Sequence, residues 1–184
     1  MENNEINFII LSPDTNFVRL KNTLNSIKHH LGIIEAVCIV PKNVDKEKLK
    51  DMQLICNNIF KGKTTFTSLI NSGFKYSKKE WNIVINEGVY VTKSLIKKYS
   101  RFIENEKDIL FSIDWTKDIQ GKPKELFCDF WNCSLNGVMI NKKTFQEIGE
   151  FPEKENLEIS KLIWAAKAVM NNCKFKGIIG SRMV

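Results

Sequence analysis

Ile6-Asn7-Phe8-Ile9-Ile10-Leu11-Ser12-Pro13-Asp14-Thr15 is the stretch from which the fold is read. Its apolar first part, flanked by polar residues, fits a strand buried on both faces. Ser12-Pro13-Asp14-Thr15 then reads as a turn that can cap a helix. Beyond it, Phe17, Leu20, Leu24, Ile27 and Leu31 alternate spacings of three and four, which predicts an amphipathic helix ended by Gly32. Strand, turn, helix is the opening unit of an α/β protein.

Working outward, Ile34 to Val40 repeats the buried-strand pattern and is broken by Pro41. Asp45 to Ile59 predicts a second helix with a lysine-rich outer face, and Thr64 to Tyr76 a third, weakened by Gly73. Trp81 to Ile85 is a strand running into Asn86-Glu87-Gly88, followed by a helix from Thr92 to Glu104 and a strand from Ile109 to Ile113. Asp114 to Cys133 has no period and holds Gly121, Pro123 and two tryptophans, the composition of an ordered irregular loop. A strand from Leu135 to Ile140, a short helix from Lys142 to Ile148 and a turn at Gly149-Glu150-Phe151-Pro152 follow. The last helix, Leu157 to Met170, has Ile159, Leu162, Ile163, Ala166, Val169 and Met170 on one face, with Trp164 expected to serve stability, and Phe175 to Ile179 closes the chain as a strand. No repeat or linker divides residues 1–184, so the expected architecture is one α/β domain with a mixed, mostly parallel sheet flanked by helices.

Several function classes lack the material they need. The +7 charge would suit nucleic acid, but Arg19, Arg101 and Arg182 are the only arginines, and bidentate reading of bases leans on Arg. Lys, Ile and Asn exceed a third of the chain, so the charge is read as compositional bias rather than a site. Cys38, Cys56, Cys128, Cys133 and Cys173 are an odd set with no CxxC, expected to be buried thiols in a reducing cytoplasm. The two histidines, His29 and His30, are adjacent and leave no zinc or His-based catalytic arrangement. Apolar runs fall short of a membrane span, and Met-Glu-Asn-Asn-Glu lacks the basic start of a signal peptide, so a soluble, cytoplasmic protein is expected. No GxGxxG or GxxxxGK[ST] occurs, and Lys61-Gly62-Lys63-Thr64-Thr65 reads as a polar turn before a helix.

A largely parallel sheet binds ligands at the carboxyl ends of its strands, which singles out Ser12, Asp14, Pro41, Lys42, Asn86, Glu87 and Asp114. Order and spacing here resemble the GT-A nucleotide-sugar glycosyltransferases, particularly inverting family 2, over nearly the whole length. Ile6 to Pro13 is similar to that family's opening strand and Leu20 to Ile27 to its first helix. Ser68-Leu69-Ile70-Asn71-Ser72-Gly73 resembles the helix before the key strand, and Trp81 to Gly88 the strand that delivers an Asp-x-Asp motif. Asn136 to Ile140 followed by Phe145 to Glu153 resembles the family's strand, short helix and Gly-x-Phe-Asp/Pro-Glu.

The resemblance implies a nucleotide-sugar donor, a glycan or other acceptor, and a divalent cation (Mn or Mg) between the Asp-x-Asp carboxylates and the diphosphate. It places Ser12, Asp14, Asn71, Asn86 and Glu87 on the nucleotide sugar, with Glu87 also the metal ligand. Trp115, Trp131 and Asn136 are candidates for the substrate, and Glu155 or Glu158 stands in for the general base. Lys42, a further candidate for the nucleotide sugar, departs from the pattern, because relatives tend to show acidic residues that hydrogen-bond the nucleobase at the end of the second strand. Two more departures stand against it. The triplet is Asn86-Glu87-Gly88, with an amide and a hydrogen where two carboxylates belong, so weak or absent metal dependence is expected and Gly88→Asp should strengthen it. Glu155-Asn156 replaces the family's Glu-Asp, and an amide has no usable basicity near pH 7. Lys42, Lys142 and Lys143 are candidate phosphate partners in place of a metal. Each residue also has a plainer reading: Asp14 as a helix cap, Glu87 as a solvated strand-end charge, Asn71 as a helix-surface amide, the tryptophans as packing.

Three readings stay open: a glycosyltransferase with weakened or lost activity, a non-catalytic GT-A-like module binding glycan or protein, and a nucleic-acid-binding α/β domain. A homo-oligomer fits the short chain. The ligand pocket is expected where the strand ends at Ser12, Val40 and Asn86 converge, roofed by Asp114 to Cys133.

Overall fold

The computed structural model describes residues 6–32, 36–113 and 135–179. In chain order the described elements are β1 (Ile6–Leu11), α1 (Phe17–Leu31), β2 (Ala36–Pro41), α2 (Lys46–Gln53), β3 (Ile59–Gly62), α3 (Phe66–Tyr76), β4 (Trp81–Asn86), α4 (Lys93–Phe102), β5 (Asp108–Ile113), β6 (Val138–Asn141), α5 (Lys142–Ile148), α6 (Leu157–Met170) and β7 (Lys174–Ile179). The strands form one seven-stranded sheet in the order β3-β2-β1-β4-β6-β5-β7. Only β6 runs against the others, pairing antiparallel with β4 and β5. The α/β architecture read from the sequence is the one observed.

Both faces of the sheet are covered, which is why β1 and β2 are apolar at nearly every position. Phe8 and Ile10 point to a core built with Leu20 and Ile27 of α1, Met52 of α2 and Leu95, Ile96 and Tyr99 of α4. Ile9 and Leu11 point the other way, to Leu69, Ile70 and Phe74 of α3, Phe145 of α5 and Trp164 of α6.

Some expectations are corrected. β2 stops at Pro41 as expected, although Pro41 itself is its last residue, paired with Gly62 of β3. The second helix stops at Gln53 rather than Ile59, and Ile59–Gly62 is an edge strand where a helix end and a polar turn were expected. Gly73 does not weaken α3 by accident: a Cβ there would come within 2.2 Å of Ile9 Cγ2, so the missing side chain lets the helix press onto β1. The apolar face of α6 is not the one turned to the sheet. The helix buries Ser160, Lys161, Trp164, Ala165 and Ala168, while Ile159, Leu162, Val169 and Met170 are exposed. Trp164 dictates this choice, stacking on Phe151 (4.6 Å between ring centroids) and donating its indole N–H to Gly149 O at 2.9 Å.

Candidate functional site at the carboxyl ends of β1, β2 and β4

The sheet order turns back between β1 and β4: β2 and β3 extend from β1 on one side, β6, β5 and β7 from β4 on the other. In open α/β sheets ligands bind at such a reversal of strand order, which here falls where Leu11 lies opposite Asn86. Glu87 follows β4 directly at this point. Its backbone N–H donates to Leu11 O at 2.9 Å. Its Oε2 accepts from the Ser12 hydroxyl and from the Asn16 N–H at 3.0 Å. Ser12 N–H donates to Ile39 O at 2.9 Å, so one serine and one glutamate tie the ends of β1, β2 and β4 together.

Glu87 is 7% exposed and its Oε1 has no protein partner; the Oδ1 of neighbouring Asn86 is likewise buried and unpaired. Burial raises the Glu87 carboxyl above the ordinary glutamate range, opposed but not reversed by the hydrogen bonds from Ser12 and the Asn16 backbone. Asn86 N–H donates to Asn136 Oδ1 at 2.9 Å, which brings Asn136 to the same edge. Gly137, at φ +85°, continues the β4 pairing by donating to Val84 O, and its own carbonyl accepts from the Tyr99 hydroxyl.

The other sequence-derived candidates are distributed unevenly. Asp14 is exposed and pairs with Arg19 at 3.5 Å. It does not cap α1: Asn16 does, accepting from Arg19 N–H at 3.1 Å. Lys42 stands exposed in the turn after β2. Asn71 is not a surface amide. It is buried and grips one residue of the turn after α5 with both ends, accepting from Phe151 N–H and donating to Phe151 O, each at 2.9 Å. Glu153, two residues on, pairs with Lys63 at the end of β3, which fixes that turn to the carboxyl edge.

Glu155 is exposed on this segment, and Asn156 is the N-cap of α6, its Oδ1 accepting from Ile159 N–H at 2.9 Å. Asn serves as well as Asp in this position, so the amide satisfies the first turn of α6 without a carboxylate. Glu158 pairs with Lys161 at 2.9 Å. Lys142 and Lys143 are misplaced as phosphate partners. They follow β6 at the opposite edge of the sheet, where Lys142 Nζ donates to Ser77 O and Lys143 pairs with Glu106. Trp115, Trp131, Asp114, Cys128 and Cys133, with the proposed roof of the pocket, lie outside the described residues; Cys38, Cys56 and Cys173 are buried free thiols.

A cavity of about 300 Å³ lies between α3 and α5, lined by Asn71, Phe74, Lys75, Phe145, Gln146, Gly149 and Glu150. Of the nucleotide-site candidates it touches only Asn71.

A divalent cation such as Mg²⁺ or Mn²⁺ needs several hard oxygen ligands at once. Among the described residues no three His, Cys, Asp or Glu side chains cluster in a way that could hold one. One Glu87 oxygen already accepts two hydrogen bonds, and burial favours the neutral form of the carboxyl, so this donor set does not fit a divalent cation. Gly88→Asp does not repair it. Gly88 sits at φ +91° and faces the Arg19 side chain, 3.5 Å from the position of an added Cβ. An aspartate there would be strained and paired with Arg19.

Asn16 and Thr23 were not among the residues singled out from the sequence, and Glu153 was named there only as the end of a motif. Asn16, the last polar residue before the periodic run, was available as a cap signal. Thr23, whose Oγ1 accepts from Gly88 N–H at 2.8 Å, carried no such signal.

No family model and no curated protein matches this sequence. Solved structures match its fold. Residues 1–349 of S. aureus TarS, a GT-A family 2-like glycosyltransferase, superpose with a TM-score of 0.67 at 16% identity, covering 97% of this chain and 59% of that one. TarS in complex with UDP-GlcNAc gives 0.66 at 16% identity, covering 97% and 57%. The 4-diphosphocytidyl-2C-methyl-D-erythritol synthase of Anaerococcus prevotii gives 0.63 at 14% identity, covering 99% and 91%. The chain therefore has the GT-A-like fold of nucleotide-sugar transferases, and it spans less than two thirds of the TarS structures. Among the described residues, no helix is long and apolar enough to cross a membrane.

Proposed function

We propose that this chain binds a nucleotide sugar at the carboxyl ends of β1 and β4 and transfers the sugar slowly, without an Asp-x-Asp metal centre. The observation that carries the reading is Glu87: at the switch point of a GT-A-like sheet, its carboxylate anchors the β1–α1 turn instead of standing free for a cation. TarS has been solved with UDP and with UDP-GlcNAc, which makes uridine nucleotides the first ligands to try here.

In this reading Lys42 offsets diphosphate charge at the end of β2. Glu155 takes the proton from the acceptor hydroxyl as its oxygen attacks the anomeric carbon and the nucleoside diphosphate leaves. Glu155 is preferred to Glu158 because Glu158 is engaged with Lys161. Glu155→Gln should lower transfer by about 100-fold or more while leaving nucleotide affinity unchanged, measured as sugar release or transfer under single-turnover conditions.

The use of Asn156 as a helix cap favours a second reading, a binding module without turnover. A thermal-shift panel of uridine, guanosine and thymidine diphosphates and their sugars tests what both readings share. Stabilisation by one nucleotide class supports them, and no shift with any of them overturns both.

A further inference from the structure

The most anomalous surface among the described residues is the outer face of α6. Ile159, Leu162, Val169 and Met170 are 42%, 53%, 61% and 82% exposed, and Ala166 lies exposed between them. Their spacing puts them on one stripe of a helix whose other side is already packed on the sheet. No charged residue interrupts the stripe; Glu158 and Lys167 lie on its opposite margins. A monomer gains nothing by ordering so much apolar surface toward water.

We propose that this face binds the same face of a second copy, with the two α6 helices antiparallel about a two-fold axis near Leu162 and Ile163. Area and charge both argue for this occupant. At about 200 Å² per fully exposed large residue, the stripe leaves roughly 500 Å² open on each copy, and two copies would cover about 1,000 Å², the threshold for a specific interface. In that arrangement Ile159 of one copy faces Ala166 of the other, a large side chain against a small one. The two-fold axis places like residues on the same margin, and at 1.5 Å per residue the two Glu158 side chains, and the two Lys167 side chains, fall about 13 Å apart along the helices. That exceeds the screening length of about 8 Å at physiological ionic strength, so like charges do not oppose the pairing. Each helix N-terminus also lies beside the other copy's C-terminus, the favourable alignment of dipoles. The nucleotide-binding residues proposed above lie at the ends of β1, β2 and β4 rather than on α6, so nucleotide binding is expected to stay unchanged when this face is altered.

Sedimentation velocity on the full chain, across about two decades of concentration, should show a monomer–dimer equilibrium. Leu162→Glu should shift it to monomer at every concentration without changing the nucleotide thermal shift. A second test does not depend on that variant folding. In the double variant Ile159→Cys with Ala166→Cys, mild oxidation should give disulfide-linked dimers that neither single variant gives, because residues two turns apart in one helix are about 10 Å apart and cannot bridge each other. A chain that stays monomeric throughout, a dimer indifferent to Leu162→Glu, or a double variant that does not cross-link would each overturn the proposal.

Discussion

Glu87 shows how a single buried carboxyl sets both stability and ligand chemistry. Its native pKa is raised by burial, so between the ordinary glutamate range near about 4.3 and that raised value the native state holds a proton the unfolded chain has lost. Stability must therefore fall as pH rises through this window. Glu87→Gln copies the neutral form and keeps an oxygen for Ser12 and Asn16. It should leave the melting temperature near its wild-type value at pH 3 and raise it at pH 7, with the difference growing across the window in a pH series of thermal melts. A variant less stable than wild type at pH 7 would mean that the ionised form is the one the turn requires. At the next residue, Gly88→Asp should cost about 1–2 kcal/mol in chemical denaturation, because φ +91° disfavours any side chain, and should add no manganese-dependent binding. Neither consequence was legible from residue types alone. Ser12 and Glu87 are 75 positions apart and meet only through the register of β1 with β4, whereas the sign of Gly88's φ is a property of the turn.

At the scale of elements, α3 is placed by two side-chain choices. Gly73→Ala would drive a Cβ into Ile9 and should destabilise by about 1–3 kcal/mol, the usual cost of overpacking, rather than stabilise as it would in an exposed helix. Asn71→Leu would leave the buried N–H and C=O of Phe151 without partners, at about 1–3 kcal/mol for each group, and should loosen the segment carrying Glu153 and Glu155. Denaturant melts read the first effect, and amide exchange at Phe151 reads the second. Elements with a strong period were readable in advance: α1 ends at Gly32 as expected, and α5 and α6 have the expected limits. The short edge strand β3 was not, since four residues containing one Lys and one Gly give no alternation to read. For α6, periodicity found the apolar stripe without saying whether another element covers it. Trp164 and two small alanines won the sheet, and Lys161 is buried with them.

For the whole molecule, alternation of strands and helices was enough to infer a largely parallel α/β sheet, and the order of motifs pointed to the GT-A-like fold that the superpositions show. The edge that carries the candidate site followed from that fold, because Ser12, Lys42, Asn86 and Glu87 all come from the carboxyl ends of parallel strands. Lys142 and Lys143 were misassigned for the same reason in reverse: β6 runs antiparallel, so the residues after it emerge at the other edge. Around the ends of β1 and β4 the donor set among the described residues disfavours a divalent cation beside a bound diphosphate. Calorimetric titration of the full chain with UDP-GlcNAc, once with manganese and once with a chelator, tests that combination most directly. The account predicts binding with the same affinity in both, whereas binding that requires manganese, or none in either, would contradict it.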